Sequence, residues 1–156
     1  MKKIKILVMD VDGTLTDGCI YMGPQGEAMK AFNAQDGYGI AQILPKLGIT
    51  PVIITGRSSQ ILENRAAELK ITQLHQGIHD KLTLLQKIAQ ELGAEQQEVA
   101  YIGDDLNDLD CIRWCGLTGC PADAVPEIRA AVNFVSSKTG GHGAVREFVD
   151  YIRDGD

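Results

Sequence analysis

No apolar run in this chain approaches the roughly 18 residues that a membrane-crossing helix needs, so an integral helical membrane protein is not expected. Positive charge is in deficit: 15 Lys and Arg stand against 21 Asp and Glu, a net charge of −6. An acidic surface argues against nucleic acid or an anionic membrane as the main partner, but leaves room for an anionic small molecule met by a few local cations. Cysteine is sparse, with Cys19, Cys111, Cys115 and Cys120 in 156 residues, which excludes a disulfide-stapled mini-protein. Three of the four lie close together, yet neither paired C-x2-C knuckles nor neighbouring histidines accompany them, so buried reduced thiols of a cytoplasmic protein are expected rather than a zinc site. The opening Met1-Lys2-Lys3 is followed by an apolar stretch that Asp10 and Asp12 interrupt, so an export leader is not expected. Repeats, low-complexity tracts and linkers are lacking, and residues 1–156 are read as one domain.

What the chain does have is alternation. Ile4–Met9, Pro51–Thr55 and Val99–Ile102 are short runs of buried-strand type, each ending in Gly or Asp punctuation; Leu117–Cys120 and Asn133–Val135 are weaker ones. Helical patterns fall between and after them at Ser58–Leu69, Asp80–Leu92, Asp105–Trp114, Val125–Ala131 and Ala144–Ile152. In the second, Asp80 stands as N-cap, Leu82, Leu85, Ile88, Ala89 and Leu92 share a face, and Gly93 ends it. This predicts an α/β fold, a doubly wound, Rossmann-like parallel sheet. One segment breaks the rhythm: Gly23-Pro24-Gln25-Gly26, between Cys19–Met22 and Glu27–Phe32, reads as a β-hairpin inserted before a helix that begins near Gly37. Pro45 leaves the end of that helix undefined.

Ligands of doubly wound sheets sit beyond the carboxyl ends of the strands. There the first strand delivers Asp10-Val11-Asp12-Gly13-Thr14, with the two carboxylates spaced to point the same way. The second delivers Thr55-Gly56-Arg57, Lys81 opens the helix after Asp80, and the third delivers Gly103-Asp104-Asp105-Leu106-Asn107-Asp108. Close carboxylates repel until a cation or a shared proton relieves them. Hard oxygen ligands suit Mg²⁺, and Thr and Lys donors suit phosphate. An EF-hand reading of Asp10–Thr14 fails, because the glycine comes too early and Tyr21 stands where the bidentate Glu belongs. Singly, each of these pieces is ordinary turn or cap chemistry; it is their order at successive strand ends that carries weight.

In this order the chain resembles the haloacid dehalogenase-like phosphohydrolases over nearly its whole length. Asp10–Thr14 looks like their first motif, Thr55 the second, Lys81 the third, and Gly103-Asp104-Asp105 with Asn107-Asp108 the fourth. Asp12–Gly18, Phe32-Asn33 with Asp36-Gly37, and Gly140–Glu147 are further similar to the 3-deoxy-D-manno-octulosonate 8-phosphate phosphatases. The resemblance implies Asp10 as nucleophile, Asp12 as general acid and then base, and Mg²⁺ held by Asp10, the Asp12 carbonyl and Asp104, with Asp105, Asn107 and Asp108 behind them. It implies Thr55 and Lys81 on the phosphoryl oxygens, and Gly56, Arg57, Arg65 and Lys81 as substrate contacts. The implied substrate is a small phosphorylated sugar acid; nine-carbon sugar acid phosphates and plain sugar phosphates are the alternatives. No cap domain is expected, since only the hairpin near 19–32 and a helix and strand before Lys81 occupy the usual cap positions. Neighbouring subunits of a homotetramer, joined through the hairpin, would then cover the site. The Thr139–Gly143 loop is expected to be free to fold over a ligand. A phospho-receiver module, the rival class, would carry an adjacent acidic pair and its phosphorylated Asp on a later strand.

Overall fold

In the computed structural model, which describes residues 2–155, β1 (Ile6–Met9) lies at the centre of a sheet and is buried at every position. Met1 and Asp156, the ends of the expected 1–156 domain, lie outside the described residues. β1 is flanked by β4 (Thr50–Ile54) and β6 (Val99–Ile102), with Ile6 in register with Thr50 on one side and Val99 on the other. β5 (Gln73–His75) extends the β4 side; β7 (Leu117–Cys120) and β8 (Phe134–Val135) extend the β6 side. The order is β5-β4-β1-β6-β7-β8, and every pairing is parallel. The chain therefore reverses its direction of growth at β1, which opens a crevice beyond the carboxyl ends of β1, β4 and β6.

The strand period of two sends alternate side chains to two cores. Leu7, Met9, Ile53, Ala100 and Ile102 pack against α2 (Gln60–Glu68) and α6 (Ala144–Asp154). Ile6, Val8, Val52, Ile54 and Tyr101 pack against α3 (Lys81–Glu91), α4 (Leu109–Trp114) and α5 (Pro126–Ala131). Helices on both faces bear out the doubly wound α/β expectation.

Several boundaries differ from the sequence reading. The first helix, α1 (Ala34–Tyr38), starts before Gly37 because the Asn33 side chain accepts from the amides of Gln35 and Asp36. It runs on through a π-helical turn, Gly39–Ile43, into a 3₁₀ turn, Leu44–Leu47, that accommodates Pro45 in its first positions and stops at left-handed Gly48. The pattern at Asp105–Trp114 splits into a 3₁₀ turn, Leu106–Asp108, and α4, because Asp105 and Asp108 form a capping box. Leu92 follows α3 as its C-cap and is exposed, not core. The hairpin strands are shorter than expected: β2 (Tyr21–Gly23) and β3 (Gly26–Met29) form a separate two-stranded sheet. Cys111 and Cys120 are buried thiols as expected; Cys19 is exposed, because it lies just ahead of that hairpin.

Candidate active site

Asp10 leaves the end of β1 with its amide bonded to the Ile102 carbonyl, at the seam between the two central strands. The chain then turns tightly, with the amides of Thr14, Leu15 and Thr16 all directed to the Val11 carbonyl. Gly13 takes φ +91°, and a Cβ there would lie 2.0 Å from an Asp104 carboxylate oxygen, so glycine is what lets the first and third strand ends meet. Asp10, Asp104 and Asp108 each offer a carboxylate oxygen, all within 4.8 Å of one another. Among the described residues this is the acidic group shaped to hold a cation.

Lys81 is the one ammonium within hydrogen-bond reach of that group, 3.1 Å from Asp10 Oδ1 and 3.0 Å from Asp108 Oδ1, with only 2% of its side chain exposed. It arrives there because Asp80 caps α3 through the Thr83 amide, which turns the next side chain inward. Burial by itself would lower the Lys81 pKa, but Asp10 and Asp108 outweigh it and raise the value. Burial pushes Asp10 well above the ordinary carboxylate range; Asp108 and Asp104 add to this, and Lys81 opposes it. Asp104 is pushed up to about 6, by burial first and by Asp108, against the hydrogen bond from Thr14 Oγ1 at 3.0 Å. One lysine facing three carboxylates leaves an excess of negative charge that a divalent cation would neutralise, so the donor set fits Mg²⁺.

Asp108 and Asp105 have different parts. Asp108 is fully buried and receives Lys81 Nζ and the Tyr101 hydroxyl (2.5 Å) on one oxygen and the amides of Asp104 and Asp105 on the other. Asp105 spends its carboxylate on the Leu106 amide as a cap, and both it and Asn107 are exposed. Thr55 is buried at the end of β4, where its amide donates to the His75 carbonyl.

Asp12 does not join the three carboxylates through its side chain. Its oxygens face Lys30 Nζ at 2.7 Å and Arg57 Nε at 3.9 Å, and Glu27 lies across from both cations, 3.0 Å from Lys30 and 3.5 Å from Arg57. Ser59 Oγ donates to Glu27 at 2.7 Å. Lys30 and Glu27 had no place in the sequence reading; an i,i+3 Glu–Lys pair in the hairpin was their sole signal, and it does not say which carboxylate they meet. Arg65 packs elsewhere: its guanidinium lies 5.6 Å from the Phe32 ring centre, with Asn33 O at 3.5 Å and Glu68 at 3.2 Å, so its recorded contacts tie α2 to the start of α1. The expectation of a free Thr139–Gly143 loop is corrected. Gly140 and Gly141 wedge against the first motif, with Gly141 N on Thr14 O at 3.2 Å and Gly140 N on Asp123 at 3.0 Å. A Cβ on Gly140 would lie 2.0 Å from Gly13 O, which is why the backbone approach requires glycine.

Residues 73–148 match the family description "haloacid dehalogenase-like hydrolase". The 3-deoxy-D-manno-octulosonate 8-phosphate phosphatase of Yersinia pestis is 46% identical over 149 residues, 96% of this chain and 79% of the relative. The chain belongs to the haloacid dehalogenase-like hydrolases. The Escherichia coli K12 phosphatase of the same name is 44% identical over 97% of this chain and 80% of its own. Among solved members of this hydrolase family, the Moraxella catarrhalis octulosonate 8-phosphate phosphatase superposes with a TM-score of 0.92 at 45% identity, covering 97% of this chain and 86% of that one. That structure holds a magnesium ion, a phosphate ion and a KDO molecule. The cobalt-bound Haemophilus influenzae enzyme gives a TM-score of 0.94 at 39% identity, covering 97% and 88%.

Proposed function

We propose that this chain hydrolyses a phosphomonoester through an aspartyl-phosphate on Asp10, and that its substrate is 3-deoxy-D-manno-octulosonate 8-phosphate. The observation that carries the chemistry is the buried Asp10–Lys81–Asp108 cluster beside Asp104 at the carboxyl edge of the central strands. The substrate is inferred from the relatives named above.

Asp10 attacks phosphorus, and the bond to the sugar oxygen breaks as the proton of Asp12 passes to that oxygen. Asp12 then takes a proton from a water molecule; the water oxygen attacks phosphorus, and Asp10 and inorganic phosphate are released. Thr55 and Lys81 hold the phosphoryl oxygens as negative charge gathers on them. Asp10, Asp104 and the Asp12 carbonyl would hold Mg²⁺, with Asp108 orienting the group behind them. When bound, the ion supplies the positive charge that lets a carboxylate approach a phosphate. Gly56 and Arg57 line the way in, and half-exposed Arg57 suits a substrate carboxylate. Arg65 is the weaker substrate contact, given its engagement with Phe32 and Asn33.

This reading takes the chain as one domain without a cap. Exposed Ile20, Met22 and Met29 on and beside the hairpin suit a contact between copies, and a tetramer would place a neighbour over each site. Four free thiols suit the reducing cytoplasm. The test is phosphate release from octulosonate 8-phosphate, nine-carbon sugar acid phosphates and plain sugar phosphates, with and without Mg²⁺. The expected outcome is Mg²⁺-dependent preference for the octulosonate ester and no turnover by Asp10→Asn. A flat profile removes the substrate, and activity in Asp10→Asn removes the mechanism. Sedimentation of the intact chain reads the oligomer.

A further inference from the structure

The hairpin places a lysine on the acid/base carboxylate. Lys30, directly after β3, has 4% of its side chain exposed and sets Nζ 2.7 Å from Asp12 Oδ1. Its own position is over-determined: Glu27 Oε2 is 3.0 Å away, and Glu27 is itself held by Ser59 Oγ at 2.7 Å and by Arg57 at 3.5 Å. Burial would raise the Glu27 pKa, but Ser59, Lys30 and Arg57 bring it below its ordinary value, so Glu27 stays a full counter-charge to the lysine. Two carboxylates and two cations balance, which makes burial of the lysine affordable. Of the two Asp12 oxygens, Oδ1 takes the short charge-assisted bond, while Oδ2 faces only half-exposed Arg57 at 3.9 Å.

We infer that Lys30 is a positioning residue for the general acid: by holding Asp12 Oδ1 it fixes the carboxyl rotamer so that Oδ2 carries the proton to the leaving oxygen and later receives one from water. An acid free to rotate would meet the leaving oxygen only part of the time, and catalysis of this kind is worth 10²–10⁴-fold when the group is placed. The hairpin would thus serve the chemistry directly as well as filling the usual position of a cap. This inference rests on the assignment of Asp12 in the proposed function.

Leaving-group dependence tests it. The measurement is kcat/KM at saturating Mg²⁺ for a series of substituted phenyl phosphates of similar shape and graded leaving-group acidity, using the wild type, Lys30→Met, Lys30→Arg, Glu27→Gln and Asp12→Asn. A poor leaving group needs the proton and a good one does not. Lys30→Met is expected to lose about 10- to 100-fold on the poorest leaving group and under about 3-fold on the best. Lys30→Arg should recover part of the loss, and Glu27→Gln, which keeps the lysine, should show a smaller loss with the same slope. On octulosonate 8-phosphate, kcat should fall with KM unchanged. Equal losses across the series, no loss, or a raised KM with unchanged kcat overturn the inference, the last by making Lys30 a substrate contact. If Lys30→Met is unselective while Asp12→Asn steepens the series, the positioning role alone falls. If Asp12→Asn is itself unselective, the acid assignment falls and takes this inference with it.

Discussion

Asp108 has two oxygens and four donors: Lys81 and Tyr101 on one, the amides of Asp104 and Asp105 on the other. A carboxylate so occupied anchors the site and sets its neighbours' directions, leaving direct ion contact to Asp10 and Asp104. Asp108→Asn would point an NH₂ at one of those donor pairs and leave buried donors unmet. The expected cost is about 2–3 kcal/mol of stability and on the order of 10²-fold in kcat, read by urea unfolding and by phosphate release. Gly13 works by having no side chain. Gly13→Ala would drive a methyl group into Asp104 at a φ of +91°, so Mg²⁺ affinity and kcat should both fall by at least about 10-fold, with titration calorimetry reporting the first.

At the scale of elements, helix α6 begins at Gly143, which has no side chain to cap it, and Asp36 from α1 supplies the missing acceptor at 2.9 Å from the Arg146 amide. This joins the Asp36-Gly37 and Gly140–Glu147 stretches, distant in sequence, as one helix-capping contact. Burial pushes Asp36 up to about 6, against the pull of the Arg146 and Gly143 amides, Arg65 and His142, and its second oxygen has no hydrogen-bond partner. A folded pKa above the unfolded one means a contribution that is complete below about pH 4 and is lost as pH climbs through about 6, by at most about 3 kcal/mol. Asp36→Asn keeps the acceptor and removes the titration. Its stability relative to the wild type is therefore expected to rise between pH 4 and pH 7, measured as urea midpoints across that range; a flat difference would contradict the assignment.

For the whole molecule, the crevice at the strand ends concentrates like charge that the fold itself neutralises only in part. A divalent cation that binds the folded chain and not the unfolded one adds RT ln(1 + [L]/Kd), about 2.7 kcal/mol at a hundred times Kd. Saturating Mg²⁺ should raise the Tm by several degrees, and Asp104→Asn should abolish most of that rise while leaving the metal-free Tm equal or higher, since it removes one of three mutually repelling carboxylates. Thermal scans with and without the ion check both outcomes.

The order of strands and helices was legible in the chain itself, because runs buried on both faces are continuously apolar and α3 advertises its cap, its stripe and its stop. Asp10, Thr55, Lys81 and Asp104 were legible for the same reason: a doubly wound sheet delivers whatever follows each strand to one edge. Local pattern failed where two distant segments must meet. It could not say that Asp108 outranks Asp105, that Gly140 and Gly141 brace the first motif, that Asp36 caps α6, or that a hairpin lysine holds Asp12. Each of those depends on distances between residues far apart in sequence, and such distances exist only once the sheet has brought its strand ends together.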